Sequence, residues 1–190
     1  MIQMKIGYAL TGSFCTVGRS LSELEKLMST YGEIVPIVSE AIANTDTRFG
    51  KAKDTLNHLK ELCGTSPISS IIEAEPLGPR LPLDAMIICP CTGNTIAKLS
   101  NGITDSTVTM AAKAHLRCDR PLVIAVSTND ALSQNLKNIA TLLQRKSVYF
   151  VPFHQDSPNG KPHSLISDFS LLQQTLENAL RGVQLQPLLI

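Results

Sequence analysis

Short runs of Ile, Val and Leu recur along the chain, and each is followed by polar residues and then by apolar positions at helical spacing. Runs of this length predict strands that are buried on both faces. The predicted strands are residues 5–10, 34–38, a weaker 68–72, 85–89, 122–126 and 147–151. Between them, sets such as Leu21, Leu24, Leu27 and Met28 share one helix face and predict amphipathic helices.

The alternation of continuous apolar strands with amphipathic helices predicts a parallel sheet covered on both faces, because strands buried on both sides do not alternate in polarity. We therefore expect an α/β fold, a three-layer αβα Rossmann-like or flavodoxin-like parallel sheet in one domain. The domain is expected over residues 1–182, followed by an apolar C-terminal tail at 183–190. The tail could fold back on the core or contact another chain, and both alternatives remain open.

Composition narrows the possible partners. The chain holds 17 basic and 16 acidic residues, interspersed without a run, so it has no electrostatic footprint for nucleic acid or an anionic membrane. No apolar run reaches the roughly 18 residues that span a bilayer, and the first residues lack the pattern of a signal peptide. We expect a cytoplasmic protein with reduced cysteines, and no nucleic-acid or membrane partner.

The segments that follow the predicted strands share a chemistry. Ligands of such sheets bind beyond the carboxyl ends of the strands. These segments read T-G-S-F-C-T (11–16), S-E-A-I-A-N-T-D (39–46), P-C-T-G-N-T (90–95), S-T-N-D (127–130) and F-H-Q-D-S-P-N-G-K-P-H-S (153–164). Ser, Thr, Asn and Gly supply short hydrogen-bonding groups and exposed amides without net charge. The pattern predicts a rim that binds a small ligand.

The first of these segments is a candidate phosphate loop. Thr11, Gly12 and Ser13 lie between strand one and helix one, where backbone amides and the helix dipole favour a phosphate. An ordinary turn with a helix cap explains the same residues equally well. The G-x-G-x-x-G pattern is absent, and the stretch from Gly12 to Gly18 has one residue too many for a P-loop.

Two cysteines separated by one proline raise the question of a metal site. Cys89, Cys91, His115 and Cys118 are formally available as zinc ligands. We expect Cys89 and Cys91 to point the same way from a strand end, while Cys118 follows a helix that returns to the other end of the sheet. We therefore expect no metal, with Cys89 as a small buried residue and Cys91 lining a pocket.

The stretch after Cys89 carries a family resemblance. Residues 90–105, P-C-T-G-N-T-I-A-K-L-S-N-G-I-T-D, resemble the P-A-S-A-N-T-I-A-K-I-A-N-G-I-A-D signature of homo-oligomeric flavin-containing cysteine decarboxylases. L-T-G-S at 10–13 is similar to the family's I-T-G-S phosphate loop, and V-S-T-N-D-A-L at 126–132 stands where the family has P-A-M-N-x-x-M. The resemblance implies an FMN cofactor and a homo-oligomer built from trimers.

The same resemblance implies roles for individual residues. Asn94 takes the place of the Asn that contacts the substrate carboxylate in the decarboxylases. The residues that would bind the cofactor or line its pocket are Thr11, Gly12, Ser13, Ser39, Thr92, Thr95, Ser127, Thr128 and Asn129.

One family feature is missing. Where the decarboxylases place an acid-base His, this chain has E-A-E-P at 73–76, and the nearby His58 lies on a helix face. Decarboxylation is therefore disfavoured. The whole-chain pattern resembles one component of a two-component oxidoreductase, and this resemblance implies the conversion of a dihydropyridine dicarboxylate to its aromatic form. The other component resembles nicotinamide-dependent dehydrogenases and is expected to hold NAD(P).

A dicarboxylate ligand needs cations or convergent donors. The candidates on or beside strand-end segments are Arg19, Arg48, His154, Lys161 and His163. The polar segment 153–164 is too long for simple linkage, so we expect it to close over the pocket or to meet the partner component. Another flavin enzyme of the same fold, such as a decarboxylase or prenyltransferase, and a non-catalytic scaffold remain as alternatives.

Overall fold

A computed structural model of the protein describes residues 2–190, with side chains from residue 3 onward. The strands are β1 (Ile2–Leu10), β2 (Tyr31–Val38), β3 (Ala85–Cys91), β4 (Leu122–Thr128), β5 (Val148–Phe150), β6 (Phe153–His154) and β7 (Leu165–Ser167). The helices are α1 (Phe14–Thr30), α2 (Glu40–Asn44), α3 (Ala52–Cys63), α4 (Ile71–Ala74), α5 (Gly93–Ser100), α6 (Thr107–Leu116), α7 (Leu136–Leu143) and α8 (Leu172–Ala179), the last preceded by a 3₁₀ turn at Phe169–Leu171.

The seven strands form one sheet in the order β2-β1-β3-β4-β7-β6, and β5 pairs with the first half of β4. Strands β1 to β5 are parallel in the order 2-1-3-4-5, which is the flavodoxin-like order and confirms the expected three-layer α/β class. The chain order reverses between β1 and β3. In such a sheet this reversal opens a crevice at the carboxyl edge.

The sheet is mixed rather than wholly parallel, which corrects the sequence-based expectation. Beyond the end of β5, Ser127 and Thr128 of β4 pair antiparallel with Ile166 and Leu165 of β7. The buried Ser167 side chain bridges the junction, because its Oγ accepts from Val126 N (2.8 Å) and donates to Val151 O (3.0 Å). The short hairpin of β6 and β7 thus completes the backbone pairing that β5 leaves unfinished.

The weak strand expected at 68–72 is also corrected. Only Ile68 adds to the sheet, through a single parallel bridge to Ile37. Ser70 then begins α4 with a capping box, in which its Oγ accepts from Glu73 N while the Glu73 carboxylate accepts from Ser70 N. A Ser-x-x-Glu capping signal outweighs the short apolar run, and Ile72 is 85% exposed.

Two apolar cores flank the sheet, one beneath α1, α3 and α8 and the other beneath α5, α6 and α7. Cys89 belongs to the first core and Cys91 to the second. The register shift between Ile88 and Cys91 sends the two thiols to opposite faces, which corrects the expectation that they point the same way. Burial raises the pKa of both thiols, that of Cys89 to about 12.

The tail at 183–190 runs along the edge formed by β5 and β6. The Gln184 side chain accepts from Phe150 N (2.8 Å) and donates to Phe150 O (2.7 Å). Further on, Phe153 N donates to Leu188 O (3.0 Å) and Ile190 N donates to Phe153 O (3.3 Å). The tail therefore covers backbone groups that an edge would otherwise expose. Over residues 2–190, no helix has the length and apolarity needed to cross a membrane.

Candidate functional site

A cleft of about 660 Å³ opens at the carboxyl ends of β1, β3 and β4, where the strand order reverses. The loops after these three strands supply its floor, and two further segments, the turn at 47–50 and the loop at 154–164, complete its lining. Its lining includes Gly12, Ser13, Phe14, Cys15, Thr16, Arg48, Phe49, Thr92, Gly93, Asn94, Ser127, Thr128, Asn129, Asp130, Asp156, Lys161, Ser164, Leu165 and Ile166.

Three hydroxyl groups meet at the beginning of α1. Ser13 Oγ lies 2.8 Å from Ser127 Oγ, and Thr16 Oγ1 lies 3.1 Å from Ser13 Oγ and 3.2 Å from Ser127 Oγ. Ser13 occupies the N-cap position of α1 without capping it by its side chain, and the first turn of the helix carries no acidic residue. Neutral donors beside the N-terminus of a 17-residue helix form a setting that favours an anion.

The loops after β1 and β3 are tied together by Thr11. Its Oγ1 donates to Pro90 O (2.7 Å) and accepts from Thr92 N (3.0 Å). Thr92 in turn caps α5, because its Oγ1 accepts from Thr95 N (3.3 Å). Thr11 and Thr95 are buried behind the cleft rather than in its lining, so they hold the two loops in register.

The first turn of α5 brings an amide and a glycine to the cleft. Asn94 is exposed there and lines the cleft. Gly93 is buried, and a Cβ at this position would lie 2.5 Å from both Asp130 Oδ1 and Thr128 Oγ1, and 2.6 Å from Asn135 Nδ2. Only glycine fits this contact between α5 and the loop after β4.

Asp130 is fixed by a chain of hydrogen bonds. Thr128 Oγ1 donates to Asp130 Oδ1, and Asn135 Nδ2 donates to Asp130 Oδ2 (2.9 Å). Behind them, Asn138 Nδ2 donates to Asn135 Oδ1 (2.8 Å), and Ser100 Oγ donates to Asn138 Oδ1 (2.9 Å). The network connects the loop after β4 to α5 and α7 and holds a carboxylate in the cleft lining.

The turn at 47–50 and the loop at 154–164 carry most of the charge of the cleft lining. Lys161 Nζ lies 2.9 Å from Asp156 Oδ2 within the loop at 154–164, and this carboxylate raises the pKa of the lysine. Arg48 and Phe49 occupy the tip of the turn at 47–50, where the Arg48 guanidinium carbon lies over the Phe49 ring, 4.8 Å from its centroid.

The structure brings together nine of the residues singled out from the sequence. They are Gly12, Ser13, Arg48, Thr92, Asn94, Ser127, Thr128, Asn129 and Lys161. Their ligand-binding roles stay predictions. The remaining six lie outside the lining: Thr11, Arg19, Ser39, Thr95, His154 and His163.

Local contacts account for several of these six. Ser39 caps α2 by accepting from Ile42 N (3.4 Å), and the Arg19 guanidinium lies over the Phe169 ring, 5.2 Å from its centroid. His163 is exposed, and its backbone carbonyl accepts from Leu132 N (3.0 Å). His154 is half-buried in the short strand β6.

Sequence reasoning missed other residues of the lining, above all Phe49, Gly93, Asp130 and Asp156. Three of them lie inside segments that the pattern had marked, at 90–95, 127–130 and 153–164. An anionic ligand favours cations, and a carboxylate carries no local sign that it lines a cleft, so the sequence did not predict Asp130 and Asp156. Phe49 lies beyond the marked segment 39–46, and a lone aromatic residue between polar ones was the signal available.

The family model for flavoproteins matches residues 2–169 of this chain. The chain belongs to the flavoprotein family. The match spans every strand and the whole cleft floor, so the flavoprotein assignment covers the region that carries the site. It also agrees with the family resemblance expected from residues 90–105.

Two relatives extend the flavoprotein match over the full length. The chain is 46% identical over 186 residues to the dipicolinate synthase B subunit of Bacillus subtilis (strain 168), an alignment that covers 98% of this chain and 93% of the relative. It is similar in structure to the dipicolinate synthase B subunit from Bacillus halodurans, with a TM-score of 0.90, 44% identity, and coverage of 98% and 96% of the two chains.

A more distant flavoprotein shares the fold. A dodecameric FMN-dependent UbiX-like decarboxylase from Escherichia coli O157:H7 superposes with a TM-score of 0.62 at 24% identity, covering 78% of this chain and 80% of that one.

The cleft has the groups that a flavin mononucleotide needs. The neutral hydroxyl cluster of Ser13, Thr16 and Ser127 beside α1 suits a phosphate, since no acidic residue in the first turn of α1 would repel it. Its carboxylates, Asp130 and Asp156, are both held by donors of their own. Within the described range 2–190, no three His, Cys, Asp or Glu side chains are grouped to hold a metal ion.

Proposed function

We propose that this chain is the B subunit of a dipicolinate synthase. In this role it works with the nicotinamide-dependent A subunit, here called the dehydrogenase subunit, as part of an oxidoreductase. Together they would convert dihydrodipicolinate to dipicolinate, pyridine-2,6-dicarboxylate. The observation that carries the proposal is full-length similarity to two such proteins, at 46% and 44% identity.

FMN is the proposed cofactor. The hydroxyl groups of Ser13, Thr16 and Ser127 would hold its phosphate, with the backbone of Gly12 close by, while Thr128 would line the remainder of its pocket. A bound flavin would supply hydride-accepting chemistry, which the oxidation of a dihydropyridine ring requires. This assignment is supported by the family and by the neutral donors at the beginning of α1.

Asn94 is the proposed contact to a substrate carboxylate. Its side chain is exposed in the cleft at the first turn of α5, where amide donors and the helix N-terminus both favour an anion. Replacing Asn94 with Ala should lower kcat/KM by roughly 10-fold or more, because a hydrogen bond to a charged group contributes about 1.5–3 kcal/mol. Asn44→Ala, on the exposed end of α2, is the matched control.

The proposed assembly contains the dehydrogenase subunit together with several copies of this chain, as a trimer or a multiple of it. The loop at 154–164 contributes Asp156, Lys161 and Ser164 to the cleft lining, and we assign it to closure over the substrate or to contact with the dehydrogenase subunit. The proposed location is the cytoplasm of the mother cell in a sporulating bacterium. Dipicolinate synthase would act there.

The decisive experiment assays the isolated dehydrogenase subunit, this chain by itself and the mixture of the two, each with and without added FMN. The proposal expects dihydrodipicolinate oxidation only in the mixture, together with a rise in Tm of this chain when FMN is added. Turnover at the full rate without this chain would overturn it. Loss of turnover in the Asn94→Ala mixture, with Asn44→Ala active, would separate a working site from a scaffold that only orders the dehydrogenase subunit.

The alternative of an FMN-dependent decarboxylase or prenyltransferase has less support. The residues at 73–76 that stand where the decarboxylases have their His form the end of α4 and the turn after it, away from the cleft lining. His58 is half-buried on α3, 3.9 Å from Glu25 and likewise outside the lining. Turnover by this chain with FMN, in the absence of the dehydrogenase subunit, would favour this alternative.

A further inference from the structure

We propose that Phe49 and Arg48 form the part of the cleft that recognises the ring and one carboxylate of the substrate. The ring of a planar pyridine dicarboxylate would stack on the face of Phe49 that the Arg48 guanidinium does not cover, and a carboxylate would pair with Arg48. The inference rests on the proposed function and adds an aromatic contact, Phe49, that the family resemblance does not assign.

The turn that carries both residues is rigidly built. Thr47 N donates to Gly50 O (2.9 Å), and Gly50 N donates to Thr47 O (3.1 Å). Phe49 N also donates to Thr47 Oγ1 (3.1 Å), and Gly50 adopts a φ of +151°, which favours glycine. Arg48 and Phe49 are the two tip residues of this turn. Their side chains are exposed, and hydrogen bonds hold the backbone that carries them.

Phe49 exposes much of its ring at the cleft, where a ligand could cover it. It is 54% exposed, whereas Phe150, Phe153 and Phe169 are each at most 4% exposed. Its ring lines the cleft and also borders a small hollow formed by α1, α2 and α3. When a planar ring covers an aromatic ring that is exposed at a cleft, the stacking of the two rings stabilises the complex beyond the burial of apolar surface.

Arg48 supplies the charge that a carboxylate requires. Arg48 and Lys161 are the cations of the cleft lining. Lys161 is paired with Asp156, while Arg48 has no ion pair with any residue from 2 to 190. A guanidinium binds a carboxylate through two parallel hydrogen bonds. The contact of Arg48 with one face of the Phe49 ring keeps its guanidinium near a ligand stacked on the other face.

The two carboxylates and the ring of the ligand would thus each contact a different residue. Asn94 at the first turn of α5 is the proposed contact for one carboxylate, and Arg48 at the turn 47–50 would take the other. Phe49 beside Arg48 then covers the ring between them. A flat dicarboxylate matches this arrangement better than a flexible chain or a neutral ring does.

The test measures binding by calorimetry to this chain, by itself and mixed with the dehydrogenase subunit, of two ligands with the same carboxylates. Dipicolinate has a flat aromatic ring, and piperidine-2,6-dicarboxylate has a saturated one. We expect Phe49→Leu to weaken dipicolinate binding roughly 3- to 10-fold with little change for the saturated ligand. Arg48→Met should weaken both ligands by roughly 10-fold or more. Arg19→Met, which removes a guanidinium stacked on Phe169 outside the cleft, is the matched control.

The affinity for FMN and the oligomeric mass should be unchanged in all three variants. Wild-type affinity for dipicolinate in Phe49→Leu, or equal losses for the flat and saturated ligands, would overturn the inference. So would a fall in FMN affinity, which would assign the ring to the cofactor, or a change in oligomeric mass, which would assign it to an interface between chains. All of these results leave the proposed function intact if the wild-type mixture oxidises dihydrodipicolinate, whereas a wild-type mixture without turnover contradicts the function itself.

Discussion

The cleft lining has two parts that differ in charge and in their attachment to the sheet. The inner wall, comprising Gly12, Ser13, Thr92, Gly93, Ser127 and Thr128, is neutral and directly joined to the ends of three central strands. The outer wall, comprising Arg48, Phe49, Asp156 and Lys161, is charged or aromatic and lies on two exposed loops.

We relate this difference to the proposed cofactor and the proposed substrate. Backbone pairing in the sheet and side-chain hydrogen bonds between loops leave the inner wall little freedom, which suits the binding of the proposed cofactor. The outer wall depends on side chains at loop tips, where sequence change costs little stability. We therefore expect the inner wall to determine folding and FMN binding, and the outer wall to determine which substrate is accepted.

The largest expected effect is at the most crowded point of the inner wall. Gly93→Ala places a methyl group against Asp130 and Thr128, so we expect a loss of about 1–3 kcal/mol in the free energy of unfolding and a Tm lower by several degrees. Thermal unfolding followed by circular dichroism measures it. Gly18→Ala is the matched control, since a Cβ there meets no atom within 4 Å and alanine favours the helix. Equal Tm values for Gly93→Ala and the wild type would show that the side chains around Gly93 move to accommodate a methyl group without loss of stability.

The second effect is pH-dependent and probes the strand beneath the inner wall. Burial raises the pKa of Cys89 to about 12, above its ordinary value of about 8.5, so the thiol stays protonated in the folded state while the unfolded chain loses the proton. Its contribution to stability is complete below about pH 8.5 and is lost as pH rises towards 12. Above roughly pH 9, each such thiol makes the free energy of unfolding fall more steeply with pH, by about 1.4 kcal/mol per pH unit.

Urea unfolding from pH 7 to pH 11 measures this decline. In Cys89→Ala the slope above pH 9 should be shallower by about 1.4 kcal/mol per pH unit, whatever the variant loses at neutral pH. Cys15→Ser is the control, because Cys15 is exposed. Parallel slopes for Cys89→Ala and the wild type would mean that the strand end admits water.

A smaller effect tests the hydroxyl cluster. Ser127→Ala removes the group that meets Ser13 and Thr16, so FMN affinity should fall roughly 5- to 10-fold, which corresponds to a single hydrogen bond of about 1 kcal/mol. Quenching of flavin fluorescence measures the affinity. Ser22→Ala, exposed further along α1, should bind FMN like the wild type. Unchanged affinity in Ser127→Ala would place the phosphate elsewhere.

The smallest effect on stability is expected in the outer wall. Lys161→Met breaks the pair with Asp156, but both groups are solvated, so Tm at pH 7 should stay unchanged. The pKa of Lys161 is raised by Asp156, so the pair persists through neutral pH and is lost only above the ordinary lysine range. Turnover by the mixture with the dehydrogenase subunit should nevertheless fall. A drop in Tm as large as that of Gly93→Ala would erase the distinction between the two walls.

Much of the fold and part of the cleft follow from sequence pattern. Five apolar runs predict strands, and the amphipathic segments between them predict helices. Both patterns are local, because a strand buried on two faces is continuously apolar while a helix buried on one face has apolar residues at helical spacing. The polar segments after β1, β3 and β4 were placed at one edge by the rule that parallel strands end together. This reasoning reached Ser13, Asn94 and Ser127 without a structure.

Other features depend on contacts between residues far apart in the chain. Ser127 and Thr128 pair with β7 because β5 stops short, and the register shift after Ile88 turns Cys91 away from the face of Cys89. The early end of β5 has no local signature, and Pro90 marks an irregularity in β3 without showing to which face Cys91 turns.

The sequence by itself determined the three-layer class, the order of most elements and the neutral chemistry of the inner wall, since periodicity and capping are encoded within a few residues of each other. Only the tertiary structure decided the antiparallel edge, the position of Asp130 against Gly93 and the meeting of Phe49 and Arg48 with the cleft. These depend on packing across more than 30 residues of chain, where the distance between two groups is set by the sheet and not by their spacing in sequence.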